Sequence, residues 1–239
     1  MGLDVCVGML ARAEPEERAC LQESIDLLNE VLAHAGLQPH HEPDELPSDA
    51  VFEAQMMGYS GLHDVRRLAA HHMMTGHLPP PMESRYDSAD DPMIAEANNR
   101  ALLGRRRPPA ADWLGRLMGR KPPVQPIYFH LLLHSDCEGF YVPQDFDEVI
   151  FDDANPQREG LGGMVGSSVR LLAECWILAD LIDLPPNIDP EAADLWAVSD
   201  EPAQDGPLWR VYEVESFGLA RLIRGCELSV RHRALLVFC

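Results

Sequence analysis

The segment FHLLLHSDCEGFYVP, residues 129–143, contains two histidines, two carboxylates and a cysteine among apolar residues. Aromatic and aliphatic residues follow one another between prolines and a turn, a pattern typical of a buried strand. Because side chains alternate along a strand, His130 and His134 would project to the same face. Asp136 and Glu138 would follow where the strand ends. The segment therefore predicts a strand with both imidazoles on one side.

Such an arrangement could hold a divalent transition metal such as zinc, with His130, His134 and Asp136 as ligands. Glu138 would then act as the general base on a bound water. The four-residue spacing of the histidines matches a zincin helix, but no glutamate follows the first histidine, which excludes that protease class. The alternative is a half-buried strand that ends in an acidic turn and binds nothing.

The rest of the chain predicts helices around a sheet. The apolar runs LDVCVGML (3–10) and ALLVFC (234–239) predict strands that can pair, and FYVP and DEVIF predict further strands. Apolar residues at helical spacing predict one helix after Pro15, one capped by Ser60, one capped by Ser167 and a long helix before the terminal strand. The fold class is therefore α+β, a mixed sheet packed with several helices, in a single domain over residues 1–239.

A Pro/Arg-rich excursion from the core is predicted at about residues 79–126, which hold nine of the 20 prolines. Within residues 100–121, seven basic side chains accompany one acid, Asp112. Such a run usually forms a solvated face or docks on the protein's own acidic surface. A partner-binding site is the alternative.

Two further stretches suggest a ligand pocket. In GYSG, residues 58–61, Ser60 resembles a nucleophile elbow between a strand and a helix, but Leu62 replaces the last glycine and helix capping explains the same pattern. His63 lies one turn further on. The glycines of GLGGMVGSSVR, residues 160–170, precede a helix and could hold an anion with Arg170, although a loop capped by Ser167 fits equally. The candidate pocket residues are Tyr59, Ser60, His63 and Arg170.

Charge gives the broadest indication of function. The chain has 39 acidic and 19 basic side chains, a formal net charge of −20. This charge repels phosphate backbones, so nucleic acid is an unlikely partner and a basic protein is favoured. No apolar run approaches the ~18 residues of a membrane helix, and Asp4 lies where a signal peptide would be positive. We expect a cytoplasmic protein without membrane contact, whose six scattered cysteines are reduced.

Several motifs resemble those of a family of uncharacterised bacterial proteins: GYSGLHDVRRLAAH, HLLLHSDCEGFYVPQDF, GSSVRLLAEC, VESF and a C-terminal VFC. The resemblance spans much of the chain and implies no activity, cofactor or catalytic residue. The sequence thus predicts a soluble acidic binding or interaction protein, an immunity-like factor being one form of it. The alternative is a small metal-dependent hydrolase that uses His130, His134, Asp136 and Glu138.

Overall fold

The computed structural model of the protein describes residues 3–81, 88–105, 128–135, 139–152, 163–196 and 206–238. The strands in these ranges are β1 (Asp4–Val7), β2 (Phe52–Gln55), β3 (Phe140–Val142), β4 (Ile150–Phe151), β5 (Met164–Ser167) and β6 (Leu236–Phe238). The helices are α1 (Met9–Arg12), α2 (Pro15–His34), α3 (Tyr59–Thr75), α4 (Pro92–Arg105), α5 (Phe129–Leu132), α6 (Ser168–Leu181), α7 (Ala193–Trp196), α8 (Leu208–Val211) and α9 (Glu213–His232), with a 3₁₀ turn at Ser88–Asp90.

The strands form one mixed sheet in the order β2-β1-β6-β3-β5-β4. The first and last strands along the chain, β1 and β6, are neighbours in the interior of the sheet. Val5 of β1 is opposite Phe238 of β6 in an antiparallel pair. β3 and β5 are parallel, and the other neighbouring strands are antiparallel. The predicted α+β class and the pairing of the first and last strands are both confirmed.

Helices cover the two faces of the sheet because alternate strand residues are apolar on both sides. On one face α3, α6 and α9 enclose the larger core, in which Leu68, Leu178 and Leu222 are fully buried. On the other face α2 packs Leu28 and Leu32 against strand residues such as Val142 and Val165. With buried leucines of this kind, truncation to alanine typically costs about 2–5 kcal/mol of stability.

Local signals explain where the long helices begin and end. α2 begins at Pro15 behind a capping box formed by Glu14 and Glu17. α3 follows Gly58, the N-cap residue, at φ 65°, and ends at Gly76, which has the left-handed conformation that favours glycine. The predicted capping role of Ser60 is wrong, since Gly58 takes that position. Ser167 caps α6 as predicted, and its hydroxyl accepts a hydrogen bond from the backbone N–H of Arg170.

The strand predicted for the FHLLLH run of residues 129–143 is wrong, because Phe129–Leu132 forms the helical turn α5. The glycine-rich stretch expected to be a loop instead supplies β5, parallel to β3. Gly166 is required there: a β-carbon at this position would lie 2.3 Å from the Tyr141 ring. Tyr141 and β5 can pack this closely only because residue 166 has no side chain.

Part of the proline-rich segment contributes to the core, since Ile94 and Ala97 of α4 pack in the larger cluster. The remainder, residues 82–87 and 106–127, lies outside the described ranges, as do Asp136 and Glu138. Cys20, Cys175 and Cys226 are free thiols, whereas Cys6 is disulfide-bonded, so the expectation of reduced cysteines is wrong for Cys6. None of the described helices is long and apolar enough to cross a membrane.

Candidate functional site

The segment that contains both candidate histidines is held by two buried side chains from distant helices, Glu174 and Arg66. At the start of α5, the backbone N–H groups of His130 and Leu131 donate to the carboxylate of Glu174 at 3.0 and 2.8 Å. At the other end, the Arg66 guanidinium donates to the carbonyls of Leu131 at 2.8 Å and His134 at 2.6 Å. The carboxyl oxygens at the first N–H groups of this helical turn and the guanidinium at its last carbonyls supply partners that these backbone groups lack within the turn.

Both side chains are nearly inaccessible to solvent, with Arg66 6% and Glu174 7% exposed. Burial raises the pKa of Glu174 to about 8, and the hydrogen bonds from His130 and Leu131 act in the opposite direction. Buried polar groups are tolerated when they are hydrogen-bonded. The arrangement therefore fixes the position of α5 and gives it a structural role.

His130 uses both ring nitrogens in hydrogen bonds to backbone. Nδ1 accepts from the N–H of Ser167 at 3.0 Å, so Nε2 must carry the proton and donates to the carbonyl of Phe146 at 3.1 Å. Burial lowers the pKa of His130 to about 4. The ring is therefore neutral at pH 7, and its acceptor nitrogen is already occupied.

His134 lies in a different environment. Its ring stacks on Tyr141 with centroids 3.9 Å apart, and its nitrogens face the carbonyls of Phe140 at 3.2 Å and Ser135 at 3.1 Å. Burial, aided by the nearby Arg66 charge, lowers the pKa of His134 to about 4. A neutral ring can donate to only one of these carbonyls. The histidines thus have separate partners, and the idea of one shared polar face is wrong.

The metal hypothesis gains no support from the described residues. Among them, no group of three or more His, Cys, Asp or Glu side chains could hold a metal ion. The ring nitrogens of His130 and His134 contact backbone groups, while Asp136 and Glu138 fall outside the described ranges. A metal site at His130, His134 and Asp136, with Glu138 as the general base, remains a prediction.

The candidate pocket residues belong to two helices. Tyr59, Ser60 and His63 are half-buried in the first turns of α3. Arg170, near the start of α6, contacts the carboxylates of Asp145 at 2.5 Å and Asp147 at 2.7 Å. Its guanidinium is therefore occupied by carboxylates of the chain itself.

Two histidines near the end of α3 contact side chains of other segments. Nε2 of His71 lies 3.0 Å from the carboxylate of Asp91, which also accepts from Arg67. Nδ1 of His72 lies 2.5 Å from the hydroxyl of the buried Tyr128. Both rings join α3 to neighbouring segments.

A second site is formed by exposed carboxylates on the outer side of α2 and in the loop after it. Between Glu14 and Glu53 the chain has eleven acidic side chains and one arginine, Arg18. Residues seven apart on a helix share one side, and the outer side of α2 is opposite the buried Ile25, Leu28 and Leu32. We call the following exposed acids the acidic face: Glu16, Glu23, Asp26 and Glu30 of α2, with Asp44, Glu45 and Asp49 of the loop.

The loop is attached to the body of the protein by buried polar contacts. The Asn29 side chain accepts from the N–H of His40 at 2.6 Å and donates to its carbonyl at 3.0 Å. The His40 ring lies 2.7 Å from the Glu42 carboxylate, which also accepts from the N–H of Leu235 at 2.7 Å. These contacts link α2, the loop and the residue that precedes β6.

Sequence patterns missed the residues that organise both sites. Glu174 falls in the buried stripe of Leu171, Cys175 and Leu178, a position where a charge signals a buried partner. Arg66 occupies the corresponding stripe of α3. The contacts of His40 and Glu42 leave no local signal, because one partner is 193 residues away.

Fold and surface together define a strongly acidic α+β protein with a carboxylate-lined outer helix. The chain belongs to the protein family described as "Putative DNA-mimic protein", whose model matches residues 1–238. This match is consistent with the family resemblance that the motifs indicated over much of the chain, while a bacterial source remains a prediction. Comparisons with curated proteins and with solved structures gave no match.

Proposed function

We propose that this protein is a DNA mimic, which uses the acidic face to occupy the DNA-contacting surface of a basic DNA-binding protein. The observation that carries the proposal is the run of eleven acids and one arginine between Glu14 and Glu53, most of it exposed on α2 and the loop. The family to which the chain belongs supports the same role. A surface that accepts phosphates presents Arg and Lys, which also pair with carboxylates.

The geometry of α2 suits this role. Glu16, Glu23 and Glu30 are seven residues apart, so consecutive carboxylates rise about 10.5 Å along the helix axis. Three base-pair steps of B-DNA rise about 10.2 Å along one strand. The full 20-residue helix is about 30 Å long, close to nine such steps. A row of cations spaced for a DNA strand would therefore meet carboxylates at comparable intervals.

Long-range electrostatics would assist the encounter. A net charge of −20 attracts a cationic partner beyond contact distance, speeds association and makes it sensitive to salt. The same charge disfavours binding to nucleic acid itself. The expected target is accordingly a protein that binds DNA.

Two narrower hypotheses stay predictions. An immunity-like factor would use the same acidic surface against a basic toxin. A metal-dependent hydrolase would need His130, His134, Asp136 and Glu138, and no contact of the described residues favours it. The displacement experiment separates an immunity-like factor from a DNA mimic. A toxin that does not bind DNA would be absent from the proteins retained on DNA-cellulose.

The test is displacement of proteins from DNA. Proteins of the source cell that bind duplex DNA-cellulose at low salt are challenged with the purified protein, which should release a specific subset. A variant that neutralises the outer side of α2 (Glu16→Gln, Glu23→Gln, Asp26→Asn, Glu30→Gln) should release far less. The matched control neutralises four exposed acids elsewhere (Asp90→Asn, Glu96→Gln, Asp180→Asn, Asp183→Asn) and should behave like wild type. Equal losses in both variants would contradict a localised mimic surface.

A further inference from the structure

We propose that Asn29, His40 and Glu42 are positioning residues that hold the acidic loop, residues 43–49, in a fixed place beside α2. This inference rests on the proposed function, because it assigns the loop and the helix to one partner-binding surface. The loop would then hold the carboxylates of Asp44, Glu45 and Asp49 at fixed positions relative to those of α2.

The loop and the helix carry like charge, so the acidic face repels itself. One cross-link between exposed side chains that opposes this repulsion is the ion pair of Arg18 with Asp44, at 3.4 Å, and Asp44 is 80% exposed. Exposed ion pairs of this kind contribute little to stability and are screened by salt. A stronger attachment is needed to keep the loop close to α2.

Asn29 supplies the first part of that attachment. It lies on α2 between the acidic side and the core, and its amide group pairs with both the N–H and the carbonyl of His40. This double contact fixes the backbone at the entrance of the loop. It involves no charge, so salt does not weaken it.

The second part is the pair of His40 and Glu42. Their side chains are only 4% and 3% exposed, and Glu42 lines a cavity of about 10 Å³ beside apolar residues such as Leu21 and Ile25. A buried carboxylate is costly unless it has hydrogen-bond partners, and Oε2 of Glu42 contacts both the His40 ring and the N–H of Leu235. Movement of the loop would break both contacts, so the pair favours one loop position.

A preorganised surface dissociates slowly, because less conformational freedom is lost on binding. Association, in contrast, depends mainly on total charge. Asn29→Ala removes the double contact without changing charge. It should raise the dissociation rate about tenfold and leave the association rate nearly constant.

Asn29→Asp separates positioning from charge. It adds a carboxylate to the helix and loses the donor to the His40 carbonyl. If charge alone governed binding, this variant would associate faster and bind more tightly; the positioning role predicts faster dissociation and weaker binding. Gln22→Ala is the matched control. The Gln22 side chain donates a hydrogen bond to Asp26 of the same helix and not to the loop backbone.

The experiment has two arms that can fail separately. The first measures amide hydrogen exchange in the loop without any partner: Asn29→Ala and Asn29→Asp should accelerate exchange there and leave α3 and α9 unchanged. The second measures dissociation from the DNA-binding protein released in the displacement experiment. Unchanged loop exchange, or Asn29→Asp binding as tightly as wild type, would overturn the positioning role. If wild type releases no DNA-binding protein, the proposed function fails and the exchange arm alone decides the positioning role.

Discussion

Glu174 and Arg66 lie at opposite ends of one helical turn, the carboxylate on its first N–H groups and the guanidinium on its last carbonyls. Neither residue is near α5 in sequence, since Glu174 is 43 residues from Leu131 and Arg66 is 65 residues from it. Two long-range contacts therefore determine the conformation of the segment in which both candidate histidines lie.

Replacement of Glu174 by glutamine should destabilise the fold. The amide NH₂ of glutamine would face one of the two backbone N–H groups, and a buried donor would lose its acceptor. We expect the free energy of unfolding to fall by about 2–3 kcal/mol, measured by urea denaturation. Glu96→Gln, on an exposed part of α4, is the control and should change stability by less than about 0.5 kcal/mol. Equal stability of the two variants would contradict the clamp.

Replacement of Arg66 by methionine tests the other end of the clamp. Methionine keeps much of the side-chain volume and removes the donors to Leu131, His134 and Ser135. The expected loss is about 3 kcal/mol or more in the same assay, because several buried carbonyls lose their partners. Arg18→Met, at a partly exposed position, should cost no more than about 1 kcal/mol. A similar small loss for both variants would show that Arg66 is dispensable.

Glu215 should make stability depend on pH between about 4.5 and 8. Burial, with repulsion from Asp64, raises its pKa from 4.5 to about 8 in the folded protein. The folded state then holds a proton that the unfolded state releases, so this contribution is complete below pH 4.5 and is lost as the pH rises through 8. Glu215→Gln removes the titrating proton and should flatten part of the decline between pH 5 and 8.

Glu174 contributes to the same decline, so the slope in Glu215→Gln should be reduced and not abolished. At pH 8 the variant should be more stable than wild type by roughly 1–3 kcal/mol. Urea denaturation at several pH values measures both quantities. A slope identical to that of wild type would show that Glu215 is ionised in the folded protein at pH 5.

His130 and His134 should make stability depend on pH below neutrality. Burial lowers both pKa values to about 4, while unfolded histidine titrates near 6.5. The stability they contribute is present above pH 6.5 and is lost as the pH falls through 4, because the unfolded state takes up protons first. Imidazole NMR signals should show both rings neutral at pH 5.5. Titration of either ring near 6.5 would contradict the buried contacts described above.

Local patterns were sufficient for most of the fold. The apolar spacing of α2 and the residues that cap α2 and α6 specify those helices, and the apolar runs at residues 3–10 and 234–239 specify β1 and β6. These elements are determined by residues close in sequence.

The predictions that proved wrong have a different cause. A short run such as FHLLLH fits a buried strand and a buried helical turn equally well, and periodicity cannot separate the two. Here the decision comes from Glu174 and Arg66, which are distant in sequence. Likewise, composition indicates an acidic protein, but the juxtaposition of the loop with α2 depends on contacts of Asn29 and Glu42 that no local pattern shows.

The most direct test of DNA mimicry is competition with DNA for one purified target. Labelled duplex DNA is bound to a DNA-binding protein released in the displacement experiment, and fluorescence anisotropy is followed as the protein is added. Mimicry by the acidic face predicts complete release of the DNA. The apparent Kd for DNA should rise linearly with the concentration of the wild-type protein. The α2 variant should raise this apparent Kd far less. A ternary complex that retains the DNA, or equal competition by the α2 variant, would contradict it.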